Sequence, residues 1–374
     1  MRQGTFFCID AHTCGNPVRL VAGGVPPLQG STMSDKRQFF LEHYDWIRQA
    51  LMFEPRGHAM MSGSVVLPPC SENADASILF IETSGCLPMC GHGTIGTVTS
   101  ALEHRLITPR EEGRLILDVP AGQIEVHYQR NGEKKVTSVK IFNVPAYLAH
   151  QDVTVNVEGL GEITVDVSYG GNYYVIVDPQ ENYLGLEHYS SDEILMLSPK
   201  VREAVSNAVE CIHPNDPTVC GVSHVLWTGT PTKAEATAKK RRLLWRKKST
   251  RPLSLRDRDQ RAHGAVARKR ETQARRRFLS TRASSAAYLR VVLKEQLKSM
   301  VKPPFLPSIE GWAQVTGHNT IWVDDEDPYA FGFELKINHK DIPWKSPRPL
   351  LPLTRQRKAL YPASSPSMAA NKST

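Results

Sequence analysis

No apolar run in this 374-residue chain approaches the length needed to span a membrane as a helix. Met1-Arg2-Gln3-Gly4 leads straight into strand-like residues, so no leader for export is expected. The seven cysteines, at 8, 14, 70, 86, 90, 211 and 220, are odd in number in a long chain without such a leader. Reduced thiols and a cytoplasmic location are therefore expected. Cys86 and Cys90 lie four apart, but no second Cys pair follows at the spacing a zinc site requires. His58 likewise has no second His or acid at ligand spacing, so no metal is expected. Neither a pyridoxal-binding lysine nor a nucleotide-binding glycine fingerprint is evident, and no cofactor is implied.

Acidic residues are scarce in one place. Residues 233–302 hold 23 of the 46 Lys and Arg but only five of the 38 Asp and Glu, a local charge of +18. The remainder carries −10, so the net +8 describes an acidic protein with a basic segment inside it.

The most informative stretch is 82–98, with Cys90-Gly91-His92-Gly93-Thr94 at its centre. Before it, Ile78-Leu79-Phe80-Ile81 reads as a buried strand. After it, Thr94, Ile95, Val98 and Leu102 fall at helical spacing. Cys90 is therefore expected where a strand gives way to a helix. There the N–H groups of Gly91, His92 and Gly93 converge and the helix dipole is positive, which favours a thiolate and a bound carboxylate. A cysteine in a Gly-rich turn is more commonly a buried packing residue. Two glycines and a histidine directly after it favour a reactive thiol, with Cys86 a packed neighbour.

Elsewhere the periodicity predicts a helix from Ser34 to Met52, capped by Ser34 or Asp35, with Phe39, Phe40, Tyr44, Ile47 and Leu51 on its apolar face. Alternating strands fill 114–178, with a hairpin at Asn131-Gly132. A second helix is expected from about 190 to 209, and a strand at 223–227. After Thr232 the apolar periodicity stops.

Cys90-Gly91-His92-Gly93-Thr94, with Ser84-Gly85 before it, resembles the first cysteine motif of the proline racemases and 4-hydroxyproline epimerases. Asp10-Ala11-His12-Thr13-Cys14-Gly15-Asn16-Pro17, Tyr169-Gly170-Gly171-Asn172, Ser223-His224-Val225-Leu226-Trp227 and Pro307-Ser308-Ile309-Glu310-Gly311-Trp312 are also family-like, and closer to the epimerases. The resemblance implies an α/β (α+β) diaminopimelate-epimerase-like fold of two domains, each a curved sheet around a central helix, with the site between them. It places the first domain at 1–120, completed by 305–335, and the second at 121–304. It implies cofactor-independent inversion at the α-carbon of an imino acid, hydroxyproline or proline, by two opposed cysteines. Cys90 would be one of them, with Gly91, His92, Gly93 and His224 binding substrate; a homodimer is left open.

The family's second cysteine, in Arg-Ser-Pro-Cys-Gly-Thr-Gly-Thr-Ser-Ala, is missing. The chain has Leu253-Ser254-Leu255-Arg256-Asp257-Arg258-Asp259-Gln260-Arg261-Ala262 at that place. Permitted codons for these residues, read one base later, give Ser-Pro-Cys-Gly-Thr-Gly-Thr-Ser-Ala. This reading infers a frameshift over about 240–303 that removes the second cysteine and the second domain's central helix. It also explains the basic charge as shifted coding sequence, and predicts a disordered tail at 337–374. Two other classes compete with a defective epimerase: a nucleic-acid-binding protein using the Lys/Arg clusters of 239–277, where Trp245 is the sole aromatic for base stacking, and a non-catalytic imino-acid-binding protein. If the clusters come from a shifted frame, nucleic-acid binding should be weak, indifferent to sequence and lost at moderate salt. Fluorescence anisotropy with unrelated oligonucleotides across a salt series checks this; a selective complex at physiological salt would overturn it.

Overall fold

Leu79 and Ile81 face one way from their strand, and Ile78 and Phe80 the other; all four are fully buried. A strand apolar on both faces needs a layer on each side, and the chain supplies both. The computed structural model describes residues 3–132, 134–229, 240–244, 278–282, 288–296 and 305–333, with backbone alone for the segments from 240 to 305. These residues lie in one compact unit, Met1–Leu335. The expected tail at 337–374 and most of the 239–303 segment fall outside them.

The first sheet contains β1 (Gly4–Thr13), β2 (Asn16–Gly23), β3 (Ser62–Leu67), β4 (Ala76–Glu82), β5 (Gly85–Leu87), β6 (Arg114–Val119), β7 (Gly122–Asn131) and β8 (Lys135–Phe142). Between β2 and β3 run α1 (Met33–His43) and α2 (Asp45–Met52), and after β5 comes α3 (Gly91–Glu103). The single helix expected over 34–52 is two, broken at Tyr44, whose backbone leaves the helical region. Its cap is Thr32, which accepts from the Asp35 N–H while the Asp35 carboxylate accepts from the Thr32 N–H. Phe40, Ile47 and Leu51 of this pair pack on the face carrying Phe6, Val21, Leu79 and Ile81.

The other face wraps α3. Every residue from Gly91 to Leu102 is buried, and none is charged; such a helix is stable only when enclosed. Ile95, Val98 and Leu102 share a core with Ile9, Leu20, Ile78, Phe80, Leu117 and Val126. Each such side chain contributes roughly 1.5–3 kcal/mol on burial. Small residues allow the close approach: a Cβ on Gly96 would come within 2.8–2.9 Å of three side-chain atoms of Val18.

The second sheet contains β9 (Tyr147–Val157), β10 (Gly161–Tyr169) and β11 (Tyr173–Val177). Then come α4 (Ser191–Ala208), the hairpin β12 (Ile212–His213) and β13 (Asp216–Cys220), and β14 (Val222–Gly229), which joins β11 in parallel. The backbone of β15 (Lys240–Leu244) pairs with β14, a strand where the sequence suggested none. Ile194, Val201 and Val205 of α4 share the core with Val165, Val175, Val225 and Trp227. Leu148, Tyr174, Ile176 and Leu226 form a separate cluster. The first sheet thus has helices on both faces; on the second, α4 is the sole long helix among the described residues.

The chain then returns to the first sheet. β16 (Phe278–Arg282), β17 (Tyr288–Gln296) and β18 (Phe305–Gly311) extend it beyond β8, and β19 (Ala313–Val323) pairs with β1 at the opposite end. The result is a mixed α/β fold whose large sheet curls as a half-barrel around α3. No helix among the described residues is long and apolar enough to cross a membrane.

Burial pushes the Cys8 and Cys86 thiols up from 9.0 to about 12. In the unfolded chain they ionise near the ordinary value while the folded protein keeps them protonated. The stability they contribute is complete below that value and is lost as pH rises toward about 12, at about 1.4 kcal/mol per pH unit for each thiol. Cys86→Ala should therefore flatten the alkaline fall in urea-unfolding free energy by about that slope. An unchanged slope would show that Cys86 ionises in the folded state.

Candidate active site

The strand-to-helix junction expected at Cys90 is present. Cys90 is the N-cap of α3, with extended backbone (φ −140°, ψ 109°), and its carbonyl accepts from the Thr94 N–H at 2.9 Å and the Thr94 hydroxyl at 2.8 Å. The helix's own ladder starts there, so the N–H groups of Gly91, His92 and Gly93 are directed out of the helix end. The sulfur does not cap the helix; it lies 3.1 Å from Glu82 Oε1 and 3.4 Å from His92 Nδ1. All three residues are buried.

Glu82 is the residue sequence reading passed over, although it opens the 82–98 stretch. Its signal was parity: Ile78, Phe80 and Glu82 share one face of β4, so the carboxylate points to the N-terminal end of α3. Ser62, its cross-strand partner on β3, donates a hydroxyl to Glu82 Oε1 at 2.9 Å. Arg48 Nη1 donates to the Glu82 main-chain carbonyl at 2.8 Å while its guanidinium is paired with Asp45. Thr13 holds the His92 carbonyl at 2.8 Å. Glu82, Cys90 and His92 offer ligand-type atoms within 4.8 Å of one another, a trio the sequence spacing does not reveal. Their separations are also those of a hydrogen-bonded acid/base cluster.

The second sheet reaches this junction through one loop. Asn172 donates its amide to the Met89 carbonyl at 2.7 Å, and Asn143 donates to the Gly170 carbonyl at 3.1 Å. Gly171, at φ +91°, lies so close to Met89 that a Cβ there would collide with the Met89 Cβ. His224 lies one strand further on, stacked on Tyr174 with ring centroids 4.4 Å apart and planes 4° off parallel. The Ser223 hydroxyl donates to the Tyr173 carbonyl at 2.8 Å. Its lone proton is then committed, so at 2.6 Å it accepts from His224 Nδ1–H. Neutral His224 therefore presents Nε2 as an acceptor. Cys90, Gly91, His92 and Gly93 are thus gathered at one helix end. His224 sits on the second sheet, on the face opposite α4.

An open cleft of about 1390 Å³ lies elsewhere, lined by Tyr147, Tyr169, Tyr173, His213, Asp118 and Ser34 among others. Neither Cys90 nor His224 is on its wall, so the buried junction is the better candidate for chemistry.

The proline racemase family model matches residues 8–334. The chain belongs to the proline racemase family. It is 73% identical to a Vibrio parahaemolyticus protein described as uncharacterised, covering 90% of this chain and all of the relative. It is 55% identical to the 4-hydroxyproline 2-epimerase of Shewanella loihica and 49% identical to that of Spirosoma linguale, in each case over 90% of this chain and the whole relative. The crystal structure of a hydroxyproline epimerase from Agrobacterium vitis, which contains trans-4-hydroxy-L-proline, shares the fold. Its TM-score is 0.75 at 22% identity, with 88% of this chain and 96% of that one covered. This family member is thus a homologue of 4-hydroxyproline 2-epimerases.

Gly171→Ala should combine backbone strain with the Met89 collision and cost about 1–3 kcal/mol or more. It should also change the alkylation rate of Cys90, because Met89 precedes it. Calorimetry and peptide mass spectrometry test both; a wild-type melting temperature would mean that the loop can withdraw from Met89 freely.

Proposed function

We propose that the junction at Cys90 is one half of a two-cysteine 4-hydroxyproline 2-epimerase site, and that this chain lacks the other half. The carrying observation is the Cys90 sulfur at the N-terminus of a fully enclosed helix, with His92 beside it. Inversion at the α-carbon needs a base on one face and an acid on the other. Cys90 serves one face. The helix-end N–H groups of Gly91, His92 and Gly93 bind the substrate carboxylate and stabilise the charge that develops on it. His224 Nε2 accepts from a donor group of the bound imino acid.

The opposite face is where the chain departs from its relatives. The Vibrio alignment spans 341 positions and covers that relative completely. Residues 233–304 therefore stand in the place of family sequence, which favours replacement by a shifted frame over an added nucleic-acid-binding insertion. The two-sided helical cover of the first sheet supports the same reading: the Tyr174, Ile176 and Leu226 face is where a second internal helix, opened by the second cysteine, would pack. On this reading the first sheet, with β7, β8 and the returning C-terminal strands, forms one domain and the second sheet from β9 onward the other, so the boundary falls after β8 rather than at 120. The protein is catalytically defective while its imino-acid half-site persists.

The test is to incubate the chain with trans-4-hydroxy-L-proline in heavy water, following loss of the α-proton signal and optical rotation separately. The expected result is no inversion to cis-4-hydroxy-D-proline, with any α-proton exchange abolished in Cys90→Ser. Inversion at ordinary enzymatic rates would overturn the loss of the second acid/base. Saturable binding with neither exchange nor inversion would favour the binding-protein reading.

A further inference from the structure

Glu82 is a fully buried carboxylate that the half-site chemistry does not use. Its Oε1 lies 3.1 Å from the Cys90 sulfur, and the sulfur lies 3.4 Å from His92 Nδ1. Thiol to carboxylate is the sense in which this contact is a hydrogen bond: Sγ–H donates and Oε1 accepts. We infer that Glu82 is a positioning residue that keeps Cys90 protonated at rest, the two side chains holding one proton between them. The inference rests on Cys90 being the acid/base of the proposed site.

The physical case is a competition at one sulfur. The α3 N-terminus favours a thiolate, as does His92 when it offers Nδ1–H. Against them stands a carboxylate oxygen at contact distance, and two negative charges that close disfavour each other strongly. Among the described residues, the groups placed around the pair are these. Ser62 donates to the same Oε1 and stabilises the carboxylate. The Arg48 guanidinium is engaged by Asp45 and by the main-chain carbonyls of Glu82 and Thr83. On the side of the second sheet, the contact at Met89 is the uncharged amide of Asn172. Ser62 and the parity of β4 direct the carboxylate toward the sulfur.

The consequence is an assignment of direction. A Cys90 that rests as thiol is the side that gives a proton to the α-carbon. It can act as a base only after its own proton has passed to Glu82, one proton moving from sulfur to carboxylate with no change in the charge of the pair. The thiolate expected from the helix end alone is then not the resting state.

The experiment is the pH dependence of iodoacetamide labelling of the full chain, read cysteine by cysteine by mass spectrometry. In the wild-type protein the midpoint for Cys90 should lie at or above about 8.5, the value of an unperturbed cysteine; a midpoint well below it would overturn the inference. Glu82→Gln removes the charge but keeps the shape. It should lower the midpoint by about one unit or more, so that labelling below both midpoints is roughly tenfold faster. Glu82→Asp, which keeps the charge, should stay near wild type. Equal acceleration in both variants with an unmoved midpoint would mean that Glu82 only packs, and would overturn the inference. Cys8 and Cys86 should stay unlabelled; if Glu82→Gln exposes them, the wild-type midpoint decides. Adding trans-4-hydroxy-L-proline separates the two proposals. Absence of protection would sink Cys90 as part of the substrate site, while the comparison without substrate still judges Glu82.

Discussion

The enclosure of α3 is the constraint from which the described structure follows. A helix with no charged residue before Glu103 cannot rest on a surface, so strands must surround it. β1, β2, β4 and β6 to β8 supply that wall, and β18 and β19 return to it from the far end of the chain. Glycine and threonine on α3 let the wall come close, as Gly96 against Val18 shows. A helix held this rigidly fixes the direction of its dipole and the positions of its first N–H groups. Those are the features an acid/base site needs to be preorganised.

Buried polar groups cluster at the N-terminal end of α3. Glu82, Ser62, Thr13 and His92 are all buried polar residues around Cys90, and each has a hydrogen-bond partner in this cluster. A buried polar group without a partner costs about 1–3 kcal/mol, so these contacts specify one arrangement. The loop at Gly170 to Asn172 ties the second sheet to the same point through the Met89 carbonyl. The two sheets therefore meet at Met89, the residue before Cys90. A disturbance of the second sheet can be felt there without touching the sulfur.

Among the described residues, the two sheets differ in the helices that pack on them. Alternation along β4 sends apolar side chains to helices on both faces of the first sheet, whereas on the second, α4 covers one face and the opposite face carries the stacked Tyr174 and His224. The charge asymmetry is concentrated in 233–302, which holds half of the Lys and Arg residues.

Much of this was legible in the chain alone. Local signals were sufficient for Cys90 at a strand-to-helix junction: an apolar run, a glycine pair and a helical repeat lie within 21 residues, from 78 to 98. They sufficed also for α4, expected at about 190–209 and found at Ser191–Ala208. The break at Tyr44 was not legible, because both helices present apolar residues at one continuous spacing and the interruption lies in the backbone. Nor was the role of Glu82. In sequence it is an acid at the end of an apolar strand, eight residues from Cys90. The β4–β5 hairpin turns the chain back and the shared parity of Ile78, Phe80 and Glu82 carries the carboxylate to the sulfur. Residue order and periodicity determined which elements form. Which buried groups face one another was decided by the curl of the sheet around α3, because contacts between distant strands depend on registers that no local pattern encodes.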